Sequence, residues 1–575
     1  MKGIKLFTLL LFILIFSVQG FTRTGPAEDE IFQDLIFKAQ SKGEVRVILK
    51  LKVPNISRLT KNSSSYKTGI SSPAMKQRGF NADLKLEDAI FRVTDKVLLN
   101  LNKFTYKINR RFSTVPFLAL SLSPEALIEV KYLPEIISVT EDKLMKLPEN
   151  ERIKTIDKIP VKPSLDNSAG IVGATDAWSM GITGRGWYIA VLDTGIRKTH
   201  EMFEGKNVIE ACYSGEGDCP NGGTQMTGAG AADHNYNITH ISGYDHGTHV
   251  TGIAAGKSKF RAGISKDSNI IAVQIFSYFP GDDDIGSWSS DQIKGLEFVY
   301  QNRNNYNIAS VNMSIGGGKY GSFCNEGYYN VIIRNLMNAG IATVIASGNE
   351  SYCNAVSFPA CIKDGISVGA TKKNDWEANF SNWQNGMVDL FAPGVDIFSA
   401  TAKNDTSHAS WQGTSMAAPH VAGAWGLLKQ LDMNMTVAKA LKLLQDNGKM
   451  IATNCFSGGK AARIDVGESI LSLLKVAPPL NFSGIQNTNK SVLQIEYLNT
   501  LTWEANPFNA NKGKNITKYL IYTVDNYELA YLAEVPSDTF IYHHRKITQG
   551  TKYTYAIRGI TDQGEESIPS YFEVE

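Results

Sequence analysis

Three polar side chains with the chemistry of a serine hydrolase follow short apolar runs or open small-residue helical patterns. Asp193 directly follows the apolar run 188–192, His246 begins a helical pattern, and Ser415 stands in the segment Gly-Thr-Ser-Met-Ala-Ala-Pro-His. A serine nucleophile needs a base that takes its proton and an acid that orients the base. Each residue alone also fits a structural role, such as a turn cap or a packed helix. Together they predict acyl transfer with Ser415 as nucleophile, His246 as base and Asp193 as orienting acid.

Asn349 is the candidate for stabilising the negative charge that acyl transfer develops on the substrate. It follows the apolar run 341–346, in a Ser-Gly-Asn segment. We expect its side-chain amide and the backbone N–H of Ser415 to form an oxyanion hole. A simple Gly-Asn turn is the structural alternative.

A second histidine, His249, lies three positions after His246, so a metal site on one helical face is an alternative to the triad. The His-Glu-x-x-His pattern that would make such a site specific is absent from the sequence. We therefore expect His249 to be a hydrogen-bonded structural residue.

Four motifs together resemble those of the subtilisin-type serine proteases: Asp-Thr-Gly at 193–195, His-Gly-Thr-His-Val at 246–250, Ser-Gly-Asn at 347–349 and the serine segment at 413–420. The resemblance covers about residues 165–475 and implies the roles given above for the catalytic side chains. It also implies that Ser314, Ile315 and Gly316 line the substrate cleft and pair with the substrate backbone; a core strand and turn is the alternative. The spacing between the aspartate and histidine motifs is longer than in compact members, which indicates a surface insertion.

The resemblance carries further expectations about ligands and specificity. Family members of this type usually accept large apolar residues before the scissile bond. Structural calcium is common among them, and Asp282–Asp284 is an acidic run to which no ligand role can be assigned from sequence. We expect catalysis to need no cofactor.

The segment that must position these residues reads as a parallel α/β sheet flanked by helices. Short apolar runs separated by helical patterns indicate buried parallel strands, whose carboxyl ends usually carry the functional residues. These runs cover 188–192, 270–276, 309–313, 341–346 and 366–370. One helix is predicted at 290–300, with Ser290 as its N-cap.

The amino-terminal part predicts a secreted precursor. Residues 1–20 read as a signal peptide, whose apolar run 6–18 is shorter than the ~20 residues that span a bilayer. Residues 30–145 predict a small α+β unit with strands at 45–51 and 117–122, and this unit is similar to the family's inhibitory pro-segment. The polar stretch 143–162 predicts an exposed linker, and we place the maturation cleavage within 146–164. A permanent accessory domain is the alternative.

Residues 476–575 predict an all-β antiparallel sandwich that resembles a fibronectin type III module, with Trp503 and the stretch 553–555 as core candidates.

The six cysteines suit disulfides in an exported chain, and Cys212 should pair with Cys219 across a short loop. The other four allow three connectivities, which sequence leaves open.

Composition excludes some partners. Lys and Arg total 58 against 56 for Asp and Glu, a net charge of +2, so no nucleic-acid partner is expected. The expected partners are protein or peptide substrates and the chain's own pro-segment, in the extracellular space. The rival from another class is an inactive protease-like scaffold that binds a partner through its sandwich. A lipase or esterase is a weaker rival, because Ser415 lacks the second glycine of Gly-x-Ser-x-Gly.

Overall fold

The structure is a computed structural model that describes residues 26–54, 73–147, 168–233, 238–325, 327–453, 455, 460–490, 495–525 and 528–574. The predicted signal peptide and residues 148–164 of the predicted linker lie outside the described residues. Among the described residues, no helix is both long and apolar enough to cross a membrane.

The amino-terminal unit is a four-stranded antiparallel sheet, in the order β2-β3-β1-β4, packed against helices. Its elements are α1 (Pro26–Lys42), β1 (Val45–Leu51), α2 (Pro73–Leu101), β2 (Tyr106–Arg111), β3 (Phe117–Leu122), α3 (Pro124–Tyr132), β4 (Ile136–Glu141) and β5 (Leu144–Lys146). The bounds of β1 and β3 are those predicted. Helix α3 begins as its sequence dictates, because Ser123 accepts a hydrogen bond from the backbone N–H of Ala126 at 3.3 Å and Pro124 occupies the first turn.

The prediction of an exposed linker from residue 143 onward is wrong at its start. Residues 144–146 form β5, and the side chains of Met145 and Leu147 are only 7% and 5% exposed. The reason is tertiary, because β5 pairs with a strand of the following unit and not with its own sheet.

The central unit is built on a ten-stranded sheet in the order β20-β21-β17-β16-β14-β12-β6-β9-β7-β8. All neighbours from β21 to β7 run parallel, and β20 and β8 are antiparallel edges. Its elements begin with α4 (Ser168–Ile171), α5 (Ala174–Ser179), β6 (Tyr188–Asp193), β7 (Val208–Tyr213), β8 (Gln225–Thr227), α6 (His246–Ala255), β9 (Asn269–Gln274), β10 (Ser277–Phe279), β11 (Asp284–Trp288), α7 (Ser289–Gln301), β12 (Ile308–Met313), β13 (Gly317–Tyr320) and α8 (Gly327–Asn338). They continue with β14 (Ala342–Ala346), β15 (Val356–Phe358), β16 (Ile366–Thr371), β17 (Leu390–Pro393), β18 (Ile397–Ala400), β19 (His408–Trp411), α9 (Thr414–Leu431), α10 (Val437–Asn447), β20 (Lys449–Ala452), β21 (Lys460–Arg463) and α11 (Val466–Leu473).

One hydrophobic core lies on each face of this sheet. Helices α7 and α8 contribute to the core on one face, and α6, α9, α10 and α11 contribute to the other. Every residue of β6, β12, β14 and β16 is buried, which explains why their sequences are continuous runs without polar alternation. The predicted fold class, a parallel sheet flanked by helices between a small α+β unit and a β region, is confirmed.

Helix α7 begins one residue before its predicted start, with Trp288 at the N-cap position, so the prediction of Ser290 as cap is wrong. The first turn is satisfied from the amino-terminal unit. Asp142 accepts the backbone N–H of Ser290 and the Ser290 hydroxyl, each at 2.8 Å. A carboxylate at a helix N-terminus also suits the helix dipole.

The carboxyl-terminal unit consists of two antiparallel sheets, in the orders β22-β23-β26 and β25-β24-β27-β28. Its elements are β22 (Leu480–Lys490), β23 (Ile495–Glu504), α12 (Pro507–Asn511), β24 (Ile516–Asp525), β25 (Glu528–Pro536), β26 (Ile541–Arg545), β27 (Tyr553–Thr561) and β28 (Ser570–Val574). Trp503 and Tyr555 are buried in its core, as predicted.

Candidate active site

Asp193 and His246 meet at the carboxyl end of the central sheet. Asp193 is the last residue of β6, His246 is the first residue of α6, and both are 1% exposed. The two carboxylate oxygens lie 2.8 and 2.9 Å from His246 Nδ1. Because a carboxylate only accepts, Nδ1 carries the proton, and in the neutral ring this makes Nε2 the basic nitrogen.

The approach of α6 to β6 requires glycine at position 247. A Cβ there would overlap the carbonyl oxygen of Gly195 and would stand 3.1 Å from Asp193 Cβ. The backbone N–H of Gly247 instead donates to the Thr194 hydroxyl at 2.9 Å. The glycine between the two histidines therefore allows the short distance between acid and base.

Ser415 is the second residue of α9 and is 1% exposed. Its hydroxyl lies 3.3 Å from the carbonyl oxygen of Ser314, and the Ser314 hydroxyl donates to the carbonyl of Ser415 at 2.8 Å. Pro419 explains this second bond. It lies inside α9 four residues after Ser415 and has no N–H for the i−4 carbonyl. Ser314 supplies the missing donor and so fixes the start of α9 against the end of β12.

Asn349 is anchored to the residue before the serine. Its side-chain oxygen accepts the backbone N–H of Thr414 at 2.8 Å and the Thr414 hydroxyl at 2.9 Å. The backbone N–H of Gly348 donates to that same hydroxyl at 3.1 Å. Since the donor N–H of Thr414 must meet an oxygen, the amide orientation of Asn349 is fixed, with its NH₂ group at the end away from Thr414.

The predicted substrate-binding residues follow the end of β12. Ser314 and Ile315 are buried, and Gly316 is half-buried. Ile315 packs in the hydrophobic core, and Ser314 accepts from the Asn312 amide at 2.9 Å. These contacts give Ser314 a positioning role that sequence reasoning missed, although its glycine-rich segment had been singled out. Substrate binding by the three residues stays a prediction.

His249 has the structural environment that was expected. Its Nε2–H donates to the carbonyl of Ala409 at 3.0 Å, and its ring stacks on Trp411 with centroids 4.3 Å apart. Burial lowers the pKa of His249 to about 3, so the ring is neutral. Within the described ranges, no group of three or more His, Cys, Asp or Glu residues could hold a metal ion.

The acidic run at 282–284 faces the amino-terminal unit. Lys146 of β5 lies 3.1 Å from Asp284 and 3.7 Å from Asp282. Asp283 accepts from the Tyr278 hydroxyl at 2.8 Å and lies 3.2 Å from His240 Nε2. The run therefore forms ion pairs and hydrogen bonds, and calcium binding stays a prediction.

Three disulfides join all six cysteines. Cys212 pairs with Cys219 as predicted, and the connectivity left open by sequence is Cys324 with Cys361 and Cys353 with Cys455. The loop closed by the first bridge belongs to the predicted insertion. Its Asp218 accepts the backbone N–H of Tyr278 at 2.9 Å and so ties the insertion to β10.

Residues 184–460 match the Peptidase S8 model, described as the subtilase family. Alkaline protease 1 of Aspergillus flavus is 32% identical over 275 residues, which cover 47% of this chain and 57% of that protein. A cuticle-degrading serine protease of Arthrobotrys oligospora is 35% identical over 243 residues, 42% of this chain and 51% of that protein. A solved protease from Pseudoalteromonas arctica PAMC 21717 aligns with a TM-score of 0.45 and 25% identity, over 52% of this chain and 94% of its own.

The chain thus spans little more than half the length of these two curated relatives. The family match contains Asp193, His246, Asn349 and Ser415, the four residues that the geometry brings to the strand and helix ends. Residues 184–460 are thus similar to the subtilase family of serine proteases.

Proposed function

We propose that the chain is a secreted serine endopeptidase, made as a zymogen, that cleaves peptide bonds through an acyl-enzyme on Ser415. The observation that carries this proposal is the contact of both Asp193 oxygens with His246 Nδ1 at 2.8 and 2.9 Å. Because this contact places the ring proton on Nδ1, Nε2 is the basic nitrogen of the neutral ring. The relatives, an alkaline protease and a cuticle-degrading protease, support protein or peptide substrates.

In the proposed reaction, His246 Nε2 takes the hydroxyl proton of Ser415 as Oγ bonds to the substrate carbonyl carbon. Asp193 stabilises the resulting imidazolium. The Asn349 NH₂ group and the backbone N–H of Ser415 donate to the oxyanion. The imidazolium then protonates the leaving amine, and water, deprotonated by the same ring, releases the acid from Ser415. No cofactor is needed for these steps.

The zymogen proposal is supported by how the amino-terminal unit ends. Strand β5 pairs antiparallel with β11, so that Leu144 lies opposite Trp288 and Lys146 opposite Gly286. A strand added to an exposed sheet edge is how many peptides are recognised. Beyond β5, the side chain of Leu147 lies over Gly243, three residues before the catalytic histidine. The pro-segment therefore takes a path that a substrate would use, and activation requires cleavage after it.

Secretion is supported by the three disulfides, which form and persist in oxidising compartments. We include in the proposal the signal peptide at 1–20, the inhibitory segment at 30–145, and a carboxyl-terminal fibronectin type III-like module. The proposal also includes a structural calcium ion. Such an ion is tested by comparing the Tm of the protein with and without EGTA.

A fluorophosphonate probe on the secreted, mature protein tests the proposed function. We expect wild type and the control variant Ser472→Ala to be labelled and to hydrolyse casein, because Ser472 lies on α11 and its hydroxyl donates to the carbonyl of Ser469 in that same helix. Ser415→Ala should do neither. Equal labelling of Ser415→Ala would refute the assignment, and an unlabelled, inactive wild type would favour the scaffold alternative. An amino-terminal sequence that begins before residue 145 would refute the zymogen.

A further inference from the structure

Arg110 of the amino-terminal unit inserts its side chain into a pocket of the peptidase unit. Its Nη2 atom lies 2.6 Å from Asp291 Oδ1 and donates to the carbonyl of Thr224 at 2.9 Å. The guanidinium carbon lies 5.9 Å from the ring centroid of Tyr213. The arginine side chain is 3% exposed and that of Asp291 is 0% exposed, so the pocket encloses the charged group.

Arg46 occupies a second pocket next to the first. Its guanidinium carbon stands 4.0 Å above the Trp288 ring centroid, and Nη1 lies 3.7 Å from Glu216 Oε1. A guanidinium over an indole face is the favoured cation–π arrangement. The same side chain also pairs with Asp142 of its own unit at 3.2 Å.

The walls of both pockets belong to the peptidase and are joined to one another within it. The backbone N–H of Gly215 donates to Asp291 Oδ2 at 2.8 Å, and the Trp288 Nε1–H donates to Glu216 at 3.1 Å. Gly215 and Glu216 lie in the loop closed by the disulfide of Cys212 and Cys219. None of these hydrogen bonds involves the amino-terminal unit, so the insertion supports the pocket walls from within the peptidase, and such preorganisation favours binding.

Departure of the amino-terminal unit would leave the carboxylates of Asp291 and Glu216 without their arginine partners. A carboxylate that is held in a mostly buried place without a partner is strongly unfavourable, so a new cation is favoured beside Asp291. The planar guanidinium suits a site that combines a carboxylate, a carbonyl and aromatic faces better than the compact ammonium of lysine does.

The direction of β5 indicates which part of a substrate would reach these pockets. Because Leu144 lies opposite Trp288 and Lys146 opposite Gly286, the chain before β5 approaches the start of α7, where Asp291 lies. A polypeptide that binds β11 in the same direction brings the residues on the amino-terminal side of its scissile bond to this place.

We propose an exosite of the mature enzyme that binds arginine side chains of polypeptide substrates, upstream of the bond that is cut. It consists of the pocket formed by Asp291, Tyr213 and Thr224 and the pocket formed by Glu216 and Trp288. The exosite rests on the proposed function, since it opens only when the pro-segment leaves. It gives the insertion a role in selecting substrates.

The test uses pairs of fluorogenic peptides, identical except for arginine or the uncharged isostere citrulline at successive upstream positions. For the mature wild-type enzyme, we expect one position or two adjacent positions at which arginine lowers KM roughly tenfold with little change in kcat. Asp291→Asn and Glu216→Gln should each reduce the ratio between the paired peptides toward one. The exposed control Asp446→Asn on α10 should keep the wild-type ratio.

A ratio of one at every position in wild type would overturn the exosite while leaving the protease assignment intact. The exosite would also be overturned if Glu216→Gln and Asp291→Asn, each with a wild-type unfolding curve, kept the wild-type KM ratio between the paired peptides. Glu216 is 38% exposed, so its variant tests the exosite even where Asp291→Asn fails to fold. If neither peptide of any pair is cleaved by wild type, the proposed function itself fails.

Discussion

Glu297 provides the sharpest test of how the amino-terminal unit, the proposed pro-segment, is held. This residue of α7 is 0% exposed, and its Oε1 atom accepts three hydrogen bonds from the amino-terminal unit. The donors are the backbone N–H of Ser113 at 2.7 Å, the backbone N–H of Thr114 at 2.6 Å and the Thr114 hydroxyl at 2.9 Å. We predict that Glu297→Ala weakens inhibition by the pro-segment and leaves the chemistry of the mature enzyme unchanged.

The magnitude follows from those three bonds. Hydrogen bonds to a charged group contribute about 1.5–3 kcal/mol each, and a buried donor left without a partner costs about 1–3 kcal/mol. Because the three share one carboxylate oxygen they are not additive, and we expect a total of about 3–4 kcal/mol. This corresponds to a rise of roughly 10²- to 10³-fold in the inhibition constant.

The assay adds the separate pro-segment to mature enzyme and measures peptide hydrolysis against pro-segment concentration. The substitution lies on the enzyme, so the free energy of folding the free pro-segment cancels between variant and wild type. Glu468→Ala, at an exposed position of α11, is the matched control and should keep the wild-type inhibition constant. A change of less than about threefold for Glu297→Ala would refute this reasoning, since it would be below the contribution of one such bond.

Three further predictions concern the site. Ser314→Ala should lower kcat roughly tenfold with little change in KM, because the Ser415 carbonyl loses its hydrogen-bond donor. Adding Pro419→Ala to this variant should restore much of the rate, because residue 419 then supplies the missing backbone N–H. A double variant as slow as Ser314→Ala would contradict the role we give to the bond between Ser314 and the Ser415 carbonyl. Gly247→Ala should destabilise the fold by about 2–4 kcal/mol in urea unfolding and reduce activity, because a Cβ has no room there; an active variant of wild-type stability would contradict this. His249 stays neutral when folded, with its pKa lowered to about 3, whereas the unfolded chain takes up a proton near pH 6.5. The free energy of unfolding should therefore fall as pH decreases from about 6.5 toward 3, and His249→Gln should flatten that slope; an identical slope in the variant would disprove the assignment.

The sequence predicts the central site well because its signals are local. Asp193 ends an apolar strand, and His246 begins a small-residue helix, so each lies at the boundary where its motif suggests. The parallel sheet then brings these boundaries to one edge, as the strand pattern predicts. The same reasoning gave the first disulfide, whose cysteines enclose a short loop.

What sequence did not predict depends on partners distant in the chain. Strand β2 was missed because it is largely polar and lies on an edge of its sheet, where every position except Arg110 is half-buried or exposed. The helix cap was assigned to Ser290 because a local rule cannot see Asp142, 148 positions away. Arg110 looks like an ordinary surface cation until the structure places it against Asp291, which is 0% exposed.

The most direct test of the central claim is the rate of fluorophosphonate labelling of mature enzyme, with the modified residue located by mass spectrometry. We predict one label per chain, on Ser415 in wild type, and a labelling rate that falls roughly 10²- to 10⁴-fold in His246→Ala, because the serine then lacks its base. A label on another residue, or an unchanged rate in His246→Ala, would contradict the account of Asp193, His246 and Ser415 as one catalytic unit.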